Sequence, residues 1–260
     1  MNGQRETNSL ELAAARFQRD GYFLVKGLIA PERCGEIRNW VANALSPLQG
    51  PAEYEADVGY DGSPGTREAY GGNTPRRLLN VFSRDQLFRD LALDKGVSEY
   101  LQAFIRRQKI LVSQCHHNCV MTKHPGFSSS TMWHQDIRYW SFDRPELVSA
   151  WFALGNEQQV NGGLLLIPES HELNLDRGRF DRNLFVRDDL MDNQTLIEKS
   201  LSVDLNAGDV LFFHCRTIHA AGRNETDSTK VSVVFTYHDQ DNQPIPGSRS
   251  AQYPSIGLPG

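Results

Sequence analysis

Apolar positions fall at helical spacing through most of the first hundred residues. Beyond residue 109 they fall in short runs broken by turn residues. Leu10, Ala13, Ala14 and Phe17 predict an amphipathic helix over about 9–19, with Ser9 as its N-cap and Asp20-Gly21 as its end. Residues 22–29 (YFLVKGLI) are aromatic and β-branched and predict a strand. Pro31 suits the first position of a second helix, whose buried stripe is Cys34, Ile37, Val41 and Ala44 and whose end is Ser46-Pro47. Residues 46–76 are rich in Gly, Pro, Asp and Tyr and read as one long loop, and a further helix is expected over 84–105.

From Lys109 the runs ILVSQCHHNCVMT, VSAWFALG, GLLLIP, SVDL, DVLFFH and KVSVVFTYH follow one another, separated mostly by turn signals such as Asn161-Gly162-Gly163 and Ala207-Gly208-Asp209. Many short strands without alternating helices predict a sandwich or barrel. Residues 171–199 read as a loop or short helical insertion, and the tail from Gln240 as weakly structured. The expectation is one mainly β domain over 1–260 with flanking α-helices: a helical N-terminal layer at about 9–105 and a β core at about 109–238.

Charge and composition narrow the function classes. The chain has 27 Lys and Arg against 32 Asp and Glu, which argues against a phosphate-tracking surface and so against a nucleic-acid partner. No run of about 18 apolar residues is present, so no membrane span is expected. The N-terminus lacks the apolar centre of a signal peptide. Cys34, Cys115, Cys119 and Cys215 form no CxxC pair and no disulfide framework, which fits a reduced, cytoplasmic setting. Oligomeric state is not legible.

The candidate chemistry lies in Trp133-His134-Gln135-Asp136. On a strand, positions i and i+2 face the same side, so His134 and Asp136 would present an imidazole and a carboxylate together. An HxD pair recurs by chance in unrelated chains and needs a third ligand. His219, after DVLFFH and before Ala220-Ala221-Gly222, is the best candidate. Two histidines and one carboxylate on one face of an octahedron leave positions open, the arrangement of non-haem Fe(II) oxygenases. The remaining histidines look weaker. His116 and His117 would face opposite ways on a strand, His124 and His171 sit in turns, His214 is a core or edge residue, and His238 ends the last strand facing solvent.

These residues, in order, resemble the phytanoyl-CoA dioxygenase family of Fe(II)/2-oxoglutarate-dependent oxygenases. The resemblance is carried by FQRDGYFLVKGLIAPERCGEIR, WHQDIRYW, VSAWFALGNEQQVNGGLLLIPESH and GDVLFFHCRTIHAAGRN, and spans about residues 16–238. It implies a double-stranded β-helix, a cupin-like jelly roll, with His134, Asp136 and His219 as iron ligands. It implies Fe(II) as cofactor, with 2-oxoglutarate and O₂ as co-substrates. The family usually places an arginine eleven residues after the distal histidine to hold the far carboxylate of 2-oxoglutarate. Lys230 stands there, with Ser232 on the same face, and Arg223 is the rival cation. Trp151 matches an aromatic of the co-substrate pocket.

The same resemblance implies oxidation of a small-molecule metabolite, with release of succinate and CO₂. Asp136 fills the space that related halogenases leave for chloride, so hydroxylation, or another oxidation such as desaturation, is the expected outcome. Arg138, Tyr139 and Arg223 are candidate substrate contacts, and the segments 46–76 and 172–199 candidate lids. A non-enzymatic binding or sensor protein that keeps the pocket is the alternative. A zinc hydrolase lacks support, because no HExxH motif is present.

Overall fold

In the computed structural model of the chain, residues 2–60 and 62–259 are described; Met1, Asp61 and Gly260 lie outside them. Helix α1 (Asn2–Asp20) starts well before Ser9, so that serine lies inside the helix and not at its cap. The chain turns at Gly21, with φ +79°, into β1 (Tyr22–Val25). Helix α2 (Pro31–Leu45) begins on Pro31 and buries Cys34, Ile37, Val41 and Ala44, the stripe expected from their spacing. The segment read as one long loop is partly sheet: β2 (Ala52–Tyr54) pairs with β3 (Pro75–Leu79).

The single helix expected over 84–105 is two, α3 (Gln86–Ala92) and α4 (Lys95–Ile105). Asp94 divides them. Its carboxylate accepts from the Gly96 and Val97 backbone N–H groups and so caps α4, which breaks the preceding turn.

The run ILVSQCHHNCVMT is likewise two strands, β4 (Ile110–Val112) and β5 (Cys119–Lys123), joined by a loop that carries His116 and His117. There follow β6 (Thr131–His134), β7 (Leu147–Ala153), β8 (Leu164–Leu166), the short helix α5 (Met191–Ile197) and β9 (Leu201–Ser202). The chain ends with β10 (Val210–His214), β11 (His219–Ala221), β12 (Lys230–Asp239) and β13 (Ile256–Gly257).

Among the described residues the larger sheet runs β1-β10-β7-β12-β5-β3-β2, with β4 pairing β12 and β13, and the smaller runs β6-β11-β8-β9. Pairing is antiparallel throughout.

Alternation along the strands sorts side chains into two cores. Val210, Phe212, Val233 and Phe235 face the helices, where they meet Phe17, Phe88 and Phe104. Leu211, Phe213, Trp151 and Val234 face the smaller sheet and meet Leu164 and Leu166. Phe17 stacks on Phe104 at 4.4 Å between ring centroids, and Phe104 meets Phe212 edge-on at 5.3 Å. Such pairs add about 0.5–1.5 kcal/mol each beyond their buried area. The helices are thereby locked to the outer face of the larger sheet, and its inner face is left to form the site.

The tail does not behave as its composition predicts. Strand β13 pairs with β4, and Ser250 is buried. Its Oγ lies 2.6 Å from His116 Nε2 and accepts from the Ser141 N–H. His238, expected at the surface, is fully buried and bonds Ser255 Oγ at 2.7 Å, because the returning tail covers it. The four cysteines are free, and no helix among the described residues is long and apolar enough to cross a membrane.

Candidate metal centre and active site

Strands β6 and β11 are neighbours in the smaller sheet, and their register pairs His134 directly with His219. The two imidazoles lie 4.2 Å apart between centroids. His134 Nδ1 is 2.8 Å from the Met132 carbonyl oxygen, and His219 Nδ1 is 3.0 Å from that of Thr217. A carbonyl only accepts, so each Nδ1 carries the proton and each Nε2 keeps a free lone pair.

Asp136 is not on a strand as expected. The chain leaves β6 after His134, and Asp136 opens a 3₁₀ turn, Asp136–Tyr139. The turn still delivers its carboxylate: Oδ1 lies 3.6 Å from His134 Nε2 and 3.7 Å from His219 Nε2. One ligand atom from each of the three residues lies within 4.8 Å of the others.

The other carboxylate oxygen, Oδ2, lies 3.1 Å from His117 Nε2. Strand alternation predicts His117 within a strand. It stands instead in the β4–β5 loop with φ +47°, a left-handed conformation uncommon for histidine. The polar QCHHN interruption inside an otherwise apolar run was the available signal.

Burial alone would push the Asp136 carboxyl up. The imidazoles of His117, His219 and His134 outweigh it and hold the group well below the usual carboxylate range. Burial, with His134 alongside, lowers His219 to about 4 and keeps it neutral at pH 7. Two imidazole nitrogens and one carboxylate oxygen, with each histidine's Nδ1 bonded to a backbone carbonyl, fit a divalent first-row metal.

Two cavities meet at this cluster. The inner one lies between the sheets and is lined by His134, His219, Trp151, Lys123 and Lys230 together with Leu164 and Phe213. Lys230 is buried, and so is Glu157, which the sequence reading missed. Glu157 Oε2 accepts from Lys230 Nζ at 3.1 Å and from Trp151 Nε1 at 3.0 Å; Oε1 accepts from Ser232 Oγ at 2.7 Å. Lys230 is therefore already ion-paired, not the free cation expected. Glu157 has no periodic signature; a bridge to Leu205 carries its backbone into the sheet edge.

The outer cavity also reaches His134 and Asp136 and is walled by Tyr60, Tyr139, Trp140, His117 and Arg249. Tyr139 thus borders the site, with its hydroxyl donating to the Asn183 carbonyl. Arg138 lines neither cavity. Its guanidinium stacks over Phe180 at 3.4 Å and donates to Gln135 Oε1 and the Leu175 carbonyl, so it braces the loop behind the turn. Arg223 is exposed on the surface beside Gly62 and lines neither cavity. Of the two cations weighed for the co-substrate, the structure brings only Lys230 to the inner cavity. His171 Nε2 lies 3.0 Å from the Gln18 carbonyl, a structural contact remote from the cluster.

Comparison with known proteins agrees with this geometry. The profile of the family described as Phytanoyl-CoA dioxygenase (PhyH) matches residues 17–232. The ectoine dioxygenase of Stutzerimonas stutzeri is 25% identical over 244 residues, which cover 87% of this chain and 76% of that one. The peroxisomal phytanoyl-CoA dioxygenase of Bos taurus is 23% identical over 250 residues, covering 90% and 70%. Among solved structures, the epimerase SnoN in complex with Fe3+, alpha ketoglutarate and nogalamycin RO superposes with a TM-score of 0.74 at 22% identity, over 92% of this chain and 87% of that one. EctD from S. alaskensis in its apoform superposes with a TM-score of 0.72 at 17% identity, over 89% and 78%. The two structural likenesses establish the shared jelly-roll fold, and the profile match establishes descent: the chain belongs to the phytanoyl-CoA dioxygenase (PhyH) family of Fe(II)/2-oxoglutarate-dependent oxygenases.

Proposed function

We propose that the protein hydroxylates a C–H bond of a small-molecule metabolite, with 2-oxoglutarate converted to succinate and CO₂. The observation that carries this reading is the convergence of His134, Asp136 and His219 at the junction of the two cavities. His134 Nε2, His219 Nε2 and one Asp136 oxygen would hold the Fe(II). The bound ion supplies activation of O₂ coupled to decarboxylation of the co-substrate.

The chain's own residues do the positioning. The Met132 and Thr217 carbonyls fix the two histidine tautomers. His117 Nε2 stands 3.1 Å from Asp136 Oδ2, on the side away from Oδ1, which faces the histidines. In the inner cavity Lys230 would receive the distal carboxylate of the co-substrate, over the Trp151 ring 4.9 Å from Lys230 Nζ, with Ser232 Oγ behind it accepting from Nζ. In the outer cavity the aromatic side chains of Tyr60, Tyr139 and Trp140 shelter the substrate carbon from water.

The experiment is a metabolite panel scored for substrate-stimulated succinate release and for product mass. Hydroxylation adds one oxygen atom to the product. An epimerisation, the activity named for SnoN, releases succinate with no change of mass and would replace the hydroxylase reading. A non-enzymatic sensor releases no succinate with any member of the panel.

A further inference from the structure

The tail after Asp239 is fastened to the β4–β5 loop, which carries His116 and His117. Ser250 is buried, with its Oγ 2.6 Å from His116 Nε2 and accepting from the Ser141 N–H at 2.9 Å. The Tyr253 N–H donates to Cys115 Sγ at 3.3 Å, and Gln114 Nε2 donates to the Pro254 carbonyl at 2.7 Å. Ser255 Oγ lies 2.7 Å from His238 Nε2, and β13 then pairs with β4. This stretch lies beyond residue 232, where the match to the family profile ends.

The fastening places Arg249, beside Ser250 in the 3₁₀ turn Arg249–Ala251, in the wall of the outer cavity. That wall carries two guanidiniums, Arg77 and Arg249, and one carboxylate, Asp136. Asp136 is committed to the metal cluster, with His117 on its other oxygen. Arg77 is ion-paired to Glu53 at 3.4 Å. Arg249 forms no ion pair among the described residues. Its charge is felt inside the cavity wall: burial first, and then the Arg249 guanidinium, lower His116 to about 3. A cation set in a cavity by a pinned backbone, with its charge unanswered by the protein, is placed to receive an anion.

We propose that Arg249 is a substrate-specificity residue, and that the substrate is an organic acid whose carboxylate pairs with this guanidinium while its apolar body lies against Tyr60, Tyr139 and Trp140. The three aromatic side chains line the same cavity as Arg249, His134 and Asp136. One unanswered guanidinium matches a singly charged carboxylate, where a phosphate monoester brings close to two charges. The planar fork of arginine also suits the two oxygens of a carboxylate. Specificity is thereby supplied by the C-terminal tail, and the metal ligands come from the jelly roll.

The inference rests on the outer cavity being the substrate site, and its test separates it from the proposed reaction. The probes are hexanoate, octanoate and phenylacetate, each beside its primary amide. Their binding to the Mn(II)-loaded protein, saturated with 2-oxoglutarate and without O₂, is read from the broadening of probe proton signals by the ion. Wild type should hold the acids at least about 5-fold more tightly than the amides, the effect of one partly exposed charge-assisted pair. In Arg249→Met that preference should shrink to within about 2-fold while the amides bind as before, and Arg249→Lys should keep part of it. Arg249 is exposed, so both variants should fold, which thermal melts check. Wild type that binds no probe, wild type that shows no preference for the acids, or a preference that persists in Arg249→Met overturns the proposal. Acids that bind through Arg249 in a protein that releases no succinate with any metabolite sustain Arg249 as the anion anchor and overturn the hydroxylase reading instead.

Discussion

Replacing His117 with asparagine separates a contact that serves the metal site from one that serves the fold. His117 Nε2 lies 3.1 Å from Asp136 Oδ2, with the two side chains 14% and 4% exposed. Asparagine is too short to keep that contact. Loss of an outer partner to a metal-binding carboxylate weakens metal binding by about 10- to 100-fold, or about 1.4–2.7 kcal/mol. The backbone responds in the opposite sense. At φ +47° asparagine is better tolerated than histidine, so the substitution adds no strain. The remaining structural loss is the edge-on contact with Trp140, 5.2 Å between centroids, worth about 0.5–1.5 kcal/mol. His117→Asn should therefore melt close to wild type while its Mn(II) dissociation constant, measured by anaerobic calorimetry, rises at least about 10-fold. Unchanged Mn(II) affinity would refute the claim that this imidazole orients Asp136. A collapse of stability by more than about 3 kcal/mol would make His117 a residue of the fold instead.

Two further outcomes follow from buried polar groups. Burial lowers His116 from its ordinary 6.5 to about 3. Between those values the unfolded chain binds a proton that the folded chain does not, so this group's share of stability is lost as pH falls below 6.5, at up to about 1.4 kcal/mol per pH unit. Urea melts from pH 7.5 to 5 should show a shallower pH slope in His116→Gln than in wild type; equal slopes contradict the assignment. Lys230→Met strands Glu157, which is fully buried, and should cost about 3–5 kcal/mol. Adding Glu157→Leu should recover most of that loss in the same melts, and additive losses would show that the two residues are not coupled.

The parts of this molecule that were legible in its sequence are those where a side-chain period reports a face. The stripe Cys34, Ile37, Val41 and Ala44 lies buried on α2, and the runs DVLFFH and KVSVVFTYH are strands. The gathering of His134, Asp136 and His219 was expected, although Asp136 reaches the others from a 3₁₀ turn and not from a strand face. What escaped has local causes with no period. Asp94 caps a helix within a stretch that otherwise reads as continuous. His117 takes a left-handed conformation that no neighbouring residue announces. Glu157 is a charged residue in a turn, and only the three-dimensional approach of Trp151, Lys230 and Ser232 makes its burial tolerable. The cross-strand pairing of Lys123 with Lys230 depends on a register that links positions more than a hundred residues apart, and pairing at that range leaves no local trace.

A single ion held by His134, Asp136 and His219 is central to the proposed chemistry. Anaerobic titration of Mn(II) or Fe(II) into wild type, Asp136→Ala and His219→Ala addresses it most directly, with thermal melts as a check on folding. One ion should bind per wild-type chain, and each folded variant should lose tight binding. Folded variants that still take up one ion per chain with wild-type affinity would contradict it.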